Sequence, residues 1–193
     1  MGKFKVISRV DNGVILFEPT VFGDSRGYFM ESYNRAELSE IGINCDFIQD
    51  NESMSTYGVV RGLHYQAMPY TQAKLVRVIS GRVLDAAVDI RKDSSNFGKV
   101  FYAELSGENH RQFYIPRGFA HGFSVLEGDA IVEYKCDNYY APEAEGAIHW
   151  DDPTLAIDWK VADSEVAVSA KDKANPLFEE CERLFDYNTD YYA

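Results

Sequence analysis

An arginine, a histidine and a lysine interrupt an apolar, β-prone stretch near the middle of the sequence. Arg61 stands three residues before His64, Lys74 follows ten residues after it, and a polar segment covers residues 49–53 just upstream. Charged side chains in a run that otherwise resembles core strands cost stability unless they are paired or used. Histidine transfers protons near neutral pH, and arginine binds anions. We therefore predict a functional site within residues 49–90.

A second histidine, His121, lies between two phenylalanines in another strand-like segment. Taken alone, each histidine is most simply a core or edge residue with satisfied hydrogen bonds. Two histidines on inward faces of separate strands instead indicate a ligand site, and together with an aspartate they would offer a metal-binding set. Metal-binding cupins typically use a His-x-His pair, whereas Tyr65 and Gln66 follow His64 here. The metal site is retained as an alternative.

The elements that carry these residues are predicted to be mostly strands, because short alternating segments are separated by glycine-containing turns. Residues 74–79 and 82–91 flank Ser80-Gly81 and predict a β-hairpin. In its second arm, Asp85 and Asp89 share one face. We interpret that face as solvated.

Two short helices are expected among the strands. The first covers residues 34–42, with Asn34 as N-cap, Glu37 at the capping-box position and Gly42 at the end. The second covers residues 176–185. The pattern favours an all-β fold, for which we predict a jelly roll, a cupin-like antiparallel β-barrel with a few short peripheral helices. Such a barrel encloses a cavity lined by inward side chains.

Length and charge narrow the class of protein. The 193 residues suit a single domain, so we expect one domain over residues 1–193. A net charge of −12 argues against nucleic-acid binding, which needs a basic surface. No apolar run is long enough for a membrane span, and the N-terminal segment lacks a signal peptide, so a cytoplasmic protein is expected. Three dispersed cysteines predict free thiols in a reducing compartment.

Several blocks, read together and in order, closely resemble the dTDP-4-dehydrorhamnose 3,5-epimerase family. The resemblance is clearest in the Arg-Gly-Leu-His-Tyr-Gln run at residues 61–66 and in the segment 115–123 around His121. It covers nearly the whole chain. The other matching blocks are residues 24–27, 49–51, 72–78, 88–91, 134–135, 139–140 and 169–172.

The resemblance implies a cofactor-free jelly-roll homodimer without a metal. Its substrate would be dTDP-4-dehydro-6-deoxy-glucose, inverted at C3 and C5 in dTDP-rhamnose synthesis for cell-surface polysaccharides such as O-antigen. By motif, His64 would be the general base, Tyr134 the general acid and Lys74 the cation beside the C4 oxygen, while Asp172 would orient His64. The positions that would hold the nucleotide sugar are Arg26, Glu31, Gln49, Asn51, Arg61, His121, Glu145 and Lys171.

These residue types fit the chemistry. A proton beside a ketone is weakly acidic, so an epimerase needs a base, a cation for the enolate oxygen and an acid on the opposite ring face. Three alternatives stay open. An epimerase acting only at C3 or only at C5 of another dTDP-4-keto-deoxysugar would share the same base and acid. The others are a non-catalytic sugar-nucleotide binder and the metal-dependent cupin.

Overall fold

The computed structural model describes residues 3–193, and antiparallel strands dominate it. The first two residues of the N-terminal segment considered above lie outside the described residues. The strands and α-helices are, in order, β1 Phe4–Arg9, β2 Ile15–Pro19, β3 Val21–Asp24, β4 Gly27–Met30, α1 Arg35–Glu40, β5 Gln49–Ser55, β6 Val60–Gln66, β7 Lys74–Asp89, β8 Arg91–Lys92, β9 Val100–Ser106, β10 Gln112–Ile115, β11 Phe119–Cys136, β12 Glu145–Ala147, α2 Ala170–Lys173 and β13 Phe185–Asp186.

Two long strands, β7 and β11, pair with each other along most of their length and tie the sheet together. The start of β7 also pairs with β10, and its second half with β9. Conversely, the start of β11 pairs with β6, and its end with β5. One half of each long strand therefore belongs to each of two layers. Apolar residues from both layers form the main core between them, which is the predicted jelly-roll architecture.

The predicted hairpin at Ser80-Gly81 is wrong, because β7 runs through both residues without reversing. β11 likewise continues through Gly128, where the sequence indicates a turn. Gly81 has φ +77°, and a Cβ atom there would lie 2.6 Å from the carbonyl oxygen of Asp129. Glycine is needed at this point for the close approach of β11 and for the positive φ.

The interpretation of Asp85 and Asp89 as solvated is also wrong, since both are fully buried. They lie on the same inner face of β7 as Val83 and Ala87, which belong to the main core. Asp89 accepts hydrogen bonds from the Arg91 guanidinium at 2.9 and 2.6 Å. The carboxylates are tolerated inside because each has a charged or polar partner.

The first predicted helix is confirmed, and the second is wrong. Asn34 caps α1 by accepting from the backbone N–H groups of Ala36 and Glu37. The predicted helix at residues 176–185 reduces to a 3-10 turn, Phe178–Glu180, followed by β13. Its apolar residues pack separately against the outer face of the sheet, which replaces a continuous helical face. Within residues 3–193, no helix has the length and apolar character needed to cross a membrane.

Candidate active site

A cavity of about 500 Å³ lies between the two layers and joins residues from several strands. A second cavity, of about 340 Å³, shares part of its wall. His64, Lys74 and Tyr134 line both cavities. These three side chains come from β6, β7 and β11, so strand pairing brings together residues that are far apart in the sequence.

His64 is paired with a buried carboxylate. Its Nε2 lies 2.6 Å from Oδ1 of Asp172, which is held on α2 where Ser169 Oγ accepts from the Asp172 N–H at 3.0 Å. The pair assigns the ring proton to Nε2 and leaves the Nδ1 lone pair available. Burial lowers the pKa of His64, while Asp172 opposes that shift and the nearby Lys74 adds to it. His64 is thus kept neutral and oriented, as a general base requires.

Lys74 and Tyr134 lie next to each other at the junction of the cavities. The Nζ of Lys74 is 5.7 Å from the centre of the Tyr134 ring. Burial lowers the pKa of Lys74, while the nearby Cys136, Asp85 and Glu145 oppose that shift. Burial also raises the pKa of Tyr134, which keeps its hydroxyl protonated. The site therefore places a cation and a neutral proton donor beside the histidine.

His121 forms a second histidine–aspartate pair. Its Nε2 lies 3.0 Å from both carboxylate oxygens of Asp85, and both residues are buried. The Cα atoms of His121 and His64 are register partners on β11 and β6. Both pairs therefore face one cavity from adjacent strands, through separate aspartates.

A row of polar side chains on β5 continues the wall of the cavities. Gln49 Nε2 donates to Asn51 Oδ1 at 3.0 Å, and both line the smaller cavity. Ser53 lies farther along the same face and lines the larger cavity. Arg61 is fixed beside it, because its Nε donates to Ser55 Oγ at 2.9 Å. Its Nη2 donates to the Met54 carbonyl at 3.2 Å, and Arg61 lines the larger cavity.

An ion pair joins residues of the two cavities, since Glu145 lines the smaller cavity and Lys171 the larger one. Lys171 Nζ lies 2.6 and 2.7 Å from the two carboxylate oxygens of Glu145. The hydroxyl of Tyr140 donates to the same carboxylate at 3.1 Å. Lys171 precedes Asp172 on α2, so one short turn supplies a contact to the cavity wall and another to His64.

The structure brings the predicted site residues to these cavities, with two exceptions. Within residues 3–193, Arg26 and Glu31 are absent from the lining of both cavities. Arg26 lies at the tip of the exposed β3–β4 ribbon and contacts Asp24, with its Nη2 2.5 Å from Oδ2. Glu31 follows that ribbon and accepts from Lys3 Nζ at 2.5 Å.

The metal-binding alternative is tested by the positions of its donors. His64 and His121 contact different aspartates, Asp172 and Asp85. In the described part of the chain, no group of three or more His, Cys, Asp or Glu side chains is arranged to hold a metal ion. The set of two histidines and one aspartate is therefore not assembled there.

Sequence reasoning missed Asp85, Ser53 and Tyr140 as parts of the site. A signal for Asp85 is present, since it is an acidic residue within the run 83–88, which is otherwise apolar on both faces. Ser53 and Tyr140 lie in segments that the sequence does single out, residues 49–53 and 139–140. Neither residue is identified individually, because a serine in a polar segment and one tyrosine among several are ordinary.

Comparison with known proteins gives a consistent result. A family model described as dTDP-4-dehydrorhamnose 3,5-epimerase matches residues 11–180. The curated dTDP-4-dehydrorhamnose 3,5-epimerase of Methanothermobacter thermautotrophicus is 48% identical over 174 residues, which is 90% of this chain and 94% of that protein.

Solved structures show the same similarity. The crystal structure of dTDP-6-deoxy-D-glucose-3,5-epimerase from Legionella pneumophila, in complex with dTDP-4-keto-L-rhamnose, has a TM-score of 0.91 and 47% identity, and the match covers 96% of this chain and 100% of that one. A 3'-monoepimerase from Streptomyces bikiniensis, in complex with dTDP-quinovose, has a TM-score of 0.83 and 30% identity, covering 91% of this chain and 90% of that one.

Proposed function

This chain belongs to the dTDP-4-dehydrorhamnose 3,5-epimerase family, and from that premise we propose that it inverts C3 and C5 of dTDP-4-dehydro-6-deoxy-glucose. The observation that carries the proposal is that His64, Lys74 and Tyr134 line the same cavities, with His64 hydrogen-bonded to Asp172. Identity to the 3,5-epimerases exceeds identity to the 3'-monoepimerase, which favours reaction at both carbons.

The first step is removal of a proton beside the C4 ketone. Nδ1 of His64 accepts the proton, and the C–H electron pair moves to the carbonyl oxygen as an enolate forms. Asp172 stabilises the resulting imidazolium, since its carboxylate raises the pKa of His64. The Lys74 ammonium lies beside the developing oxygen charge. A preorganised donor in such a position typically contributes about 3–4 kcal/mol to the transition state.

The second step delivers a proton to the opposite face of the same carbon. The Tyr134 hydroxyl gives this proton as the enolate collapses to the ketone. His64 then loses its proton to solvent and Tyr134 regains one before the second carbon reacts. Hydrogen at each inverted carbon therefore comes from water.

The nucleotide sugar is held by the polar wall of the cavities. Arg61 supplies cationic donors to the substrate's phosphate and sugar oxygens, Gln49 and Asn51 supply amides, and the His121 ring contacts the sugar from the wall of the larger cavity. Lys171 and Glu145 contact the ligand where their ion pair joins the walls of the two cavities. The protein is proposed to bind this substrate in the cytoplasm.

The active form is proposed to be a homodimer. The β3–β4 ribbon exposes Phe22, Tyr28 and Phe29, each more than half exposed at 58, 59 and 66%. Apolar side chains on a projecting ribbon are favoured at interfaces between subunits. With a partner chain bound there, Arg26 and Glu31 of the first chain would reach the cavity of the partner. This arrangement accounts for their distance from the cavities of their own chain.

The test is NMR of dTDP-4-dehydro-6-deoxy-glucose incubated with the protein in deuterated water. We expect deuterium at both C3 and C5 and formation of the rhamno-configured product. His64→Ala and Tyr134→Phe should keep substrate binding and lose turnover by roughly a hundredfold or more.

Each other outcome would assign a different function to the protein. Exchange at one carbon alone would assign a 3- or 5-epimerase, and binding without exchange would assign a sugar-nucleotide binder. A His64→Ala variant that turns over at the wild-type rate would refute the base assignment.

A further inference from the structure

Asp137 is a buried carboxylate that the proposed mechanism does not use. It follows the end of β11, and only 2% of its side chain is exposed. Its Oδ1 accepts the Ala73 N–H at 2.6 Å, and its own N–H donates to the Ala73 carbonyl at 3.3 Å. Asp137 is thus bonded twice to the residue that immediately precedes Lys74.

The second oxygen of Asp137 is neutralised by Arg117. Arg117 Nε donates to Oδ2 at 2.9 Å. Burial raises the pKa of Asp137, while the Ala73 N–H and Arg117 oppose this shift. A buried carboxylate without its cation would be strongly unfavourable, so Arg117 fixes both the charge and the orientation of Asp137.

The C-terminal segment, residues 187–193, fixes Arg117 in turn. The Tyr191 carbonyl accepts from Arg117 Nη1 at 2.5 Å, and the Tyr192 ring lies 5.0 Å from Arg117 Cζ. The Tyr192 hydroxyl accepts the Arg117 N–H at 3.1 Å and contacts the Tyr114 hydroxyl at 2.9 Å. Tyr114 belongs to β10, so the segment reaches that strand as well.

These contacts surround the strand end that carries the cation. Lys74 lies between Ile115 of β10 and Cys136 of β11 in the register of the sheet. Tyr192 contacts Tyr114, which precedes Ile115 on β10, and Asp137 directly follows Cys136 and is bonded to the backbone of Ala73. A shift of about 1 Å in a group placed for catalysis is enough to reduce turnover strongly.

We propose that Asp137 is a positioning residue for Lys74, held in place by Arg117 and the C-terminal segment. The inference rests on the proposed function, in which the Lys74 ammonium stabilises the enolate oxygen. Asp137 itself contacts no substrate. Its effect is transmitted through its hydrogen bond with the Ala73 N–H, which fixes the position of the Lys74 backbone.

The experiment measures kcat and KM in Asp137→Ala and in the isosteric Asp137→Asn. Ala removes both contacts of the carboxylate, and we expect kcat to fall about tenfold with KM within about twofold of wild type. Asn keeps an acceptor for the Ala73 N–H but loses the ion pair, so about a threefold loss of kcat is expected, a partial rescue.

The matched control is Asp89→Asn, at the other end of β7. Asp89 is also buried and paired with an arginine, Arg91, whose Cζ lies 5.0 Å from the centre of the Tyr187 ring. Asp89 lines neither of the two cavities. It should lose stability with kcat unchanged. Wild-type kcat in Asp137→Asn, or an equal loss of kcat in the Asp89→Asn control, would overturn the proposal.

A second readout needs no turnover. After reductive [13C]methylation, the pKa of Lys74 is followed by NMR and assigned with Lys74→Arg. Asp137→Ala should move that pKa up toward about 10.4, because a displaced Nζ gains water. The titratable groups near Nζ, namely His64, Asp85, Tyr134, Cys136 and Glu145, are unchanged in this variant.

An unmoved pKa in Asp137→Ala would overturn the positioning role. Absence of C3 and C5 exchange in the wild-type protein would instead refute the proposed function, and the lysine titration would still decide whether Asp137 places Lys74.

Discussion

His64 and His121 each contact an aspartate through Nε2, yet their surroundings suit them to different tasks. The His64 side chain is 32% exposed to the cavity, whereas that of His121 is 7% exposed. A base must reach a carbon-bound proton and then release it to water, which the more accessible ring can do. The buried His121–Asp85 pair instead provides a fixed imidazole in the wall.

The pKa directions of His64 and Lys74 predict a bell-shaped dependence of kcat/KM on pH. His64 must be neutral to accept a proton, and Lys74 must be protonated to stabilise the enolate oxygen. Burial lowers both pKa values. On the acidic side, kcat/KM should therefore fall with an apparent pKa lower than about 6.5, the usual value for histidine. On the basic side it should fall with an apparent pKa lower than about 10.4, the usual value for lysine. A steady-state pH profile measures both limbs.

Asp172→Asn refines this profile. Asp172 raises the pKa of His64, so its loss should move the acidic limb to still lower pH. The rate at the optimum should fall by roughly a hundredfold or more, because the imidazolium loses its partner. An acidic limb that moves upward would contradict the assigned partnership.

The residues of the site were more predictable than their neighbours. His64 and Lys74 stand out because their types conflict with a plain apolar strand, whereas Tyr134 is identified by the family resemblance alone. Asp85 was placed in solvent because alternation reports which residues share a face and cannot tell which face is covered. Its partner, His121, is brought to it by strand pairing between β7 and β11.

At the scale of elements, Gly62 governs how closely β6 approaches β11. It has φ +120°, and a Cβ atom there would lie 2.6 Å from Gly122 Cα and 2.8 Å from the His121 carbonyl oxygen. We expect Gly62→Ala to lower the free energy of unfolding by about 3 kcal/mol or more, through backbone strain together with overpacking. Denaturant unfolding measures the loss.

Gly27→Ala separates those two causes. Gly27 has a similar φ of +130°, but a Cβ atom there would meet nothing within 4 Å. Its loss of stability should reflect strain alone, and should be smaller by about 2 kcal/mol. Equal losses in the two variants would show that close packing at Gly62 contributes little.

Sequence patterns predicted the strand faces well and the strand ends poorly. Ser80-Gly81 has the composition of a hairpin turn, yet β7 continues because β11 and β9 supply hydrogen bonds on both sides of it. Those partners come from distant parts of the chain, so no local signal reports them. The segment after Pro176 was overpredicted as helix for the same reason, since its apolar residues pack one by one on the sheet.

At the scale of the whole molecule, a net charge of −12 opposes the approach of a nucleotide diphosphate. Arg61, Lys74 and Lys171 line the cavities and reverse that field locally. Arg26 adds a cation only if a second chain brings it there. Mixed dimers of two inactive variants can therefore reveal whether the site is shared.

We expect His64→Ala and Arg26→Ala, each impaired alone, to regain activity when unfolded together and refolded. A hybrid dimer would contain one intact cavity, formed by His64 of one chain and Arg26 of the other. Random pairing should restore about a quarter of wild-type activity. Turnover measured against the mixing ratio tests this expectation.

The control pairs His64→Ala with Lys74→Ala, whose lost groups line the same cavity. That mixture should stay inactive, because neither cavity of the hybrid is complete. Failure of the His64→Ala and Arg26→Ala mixture to recover, with dimers present, would place Arg26 outside the partner's site.

The short helix α2 has a consequence for attempts to alter substrate range. Its adjacent residues Lys171 and Asp172 reach different targets, Glu145 and His64. A library that randomises Lys171 to admit a bulkier sugar would also disturb the turn that aims the base. Selections for new specificity should therefore leave this turn unchanged and diversify β5 instead. Side chains on β5 reach the cavities without contacting the His64–Asp172 pair.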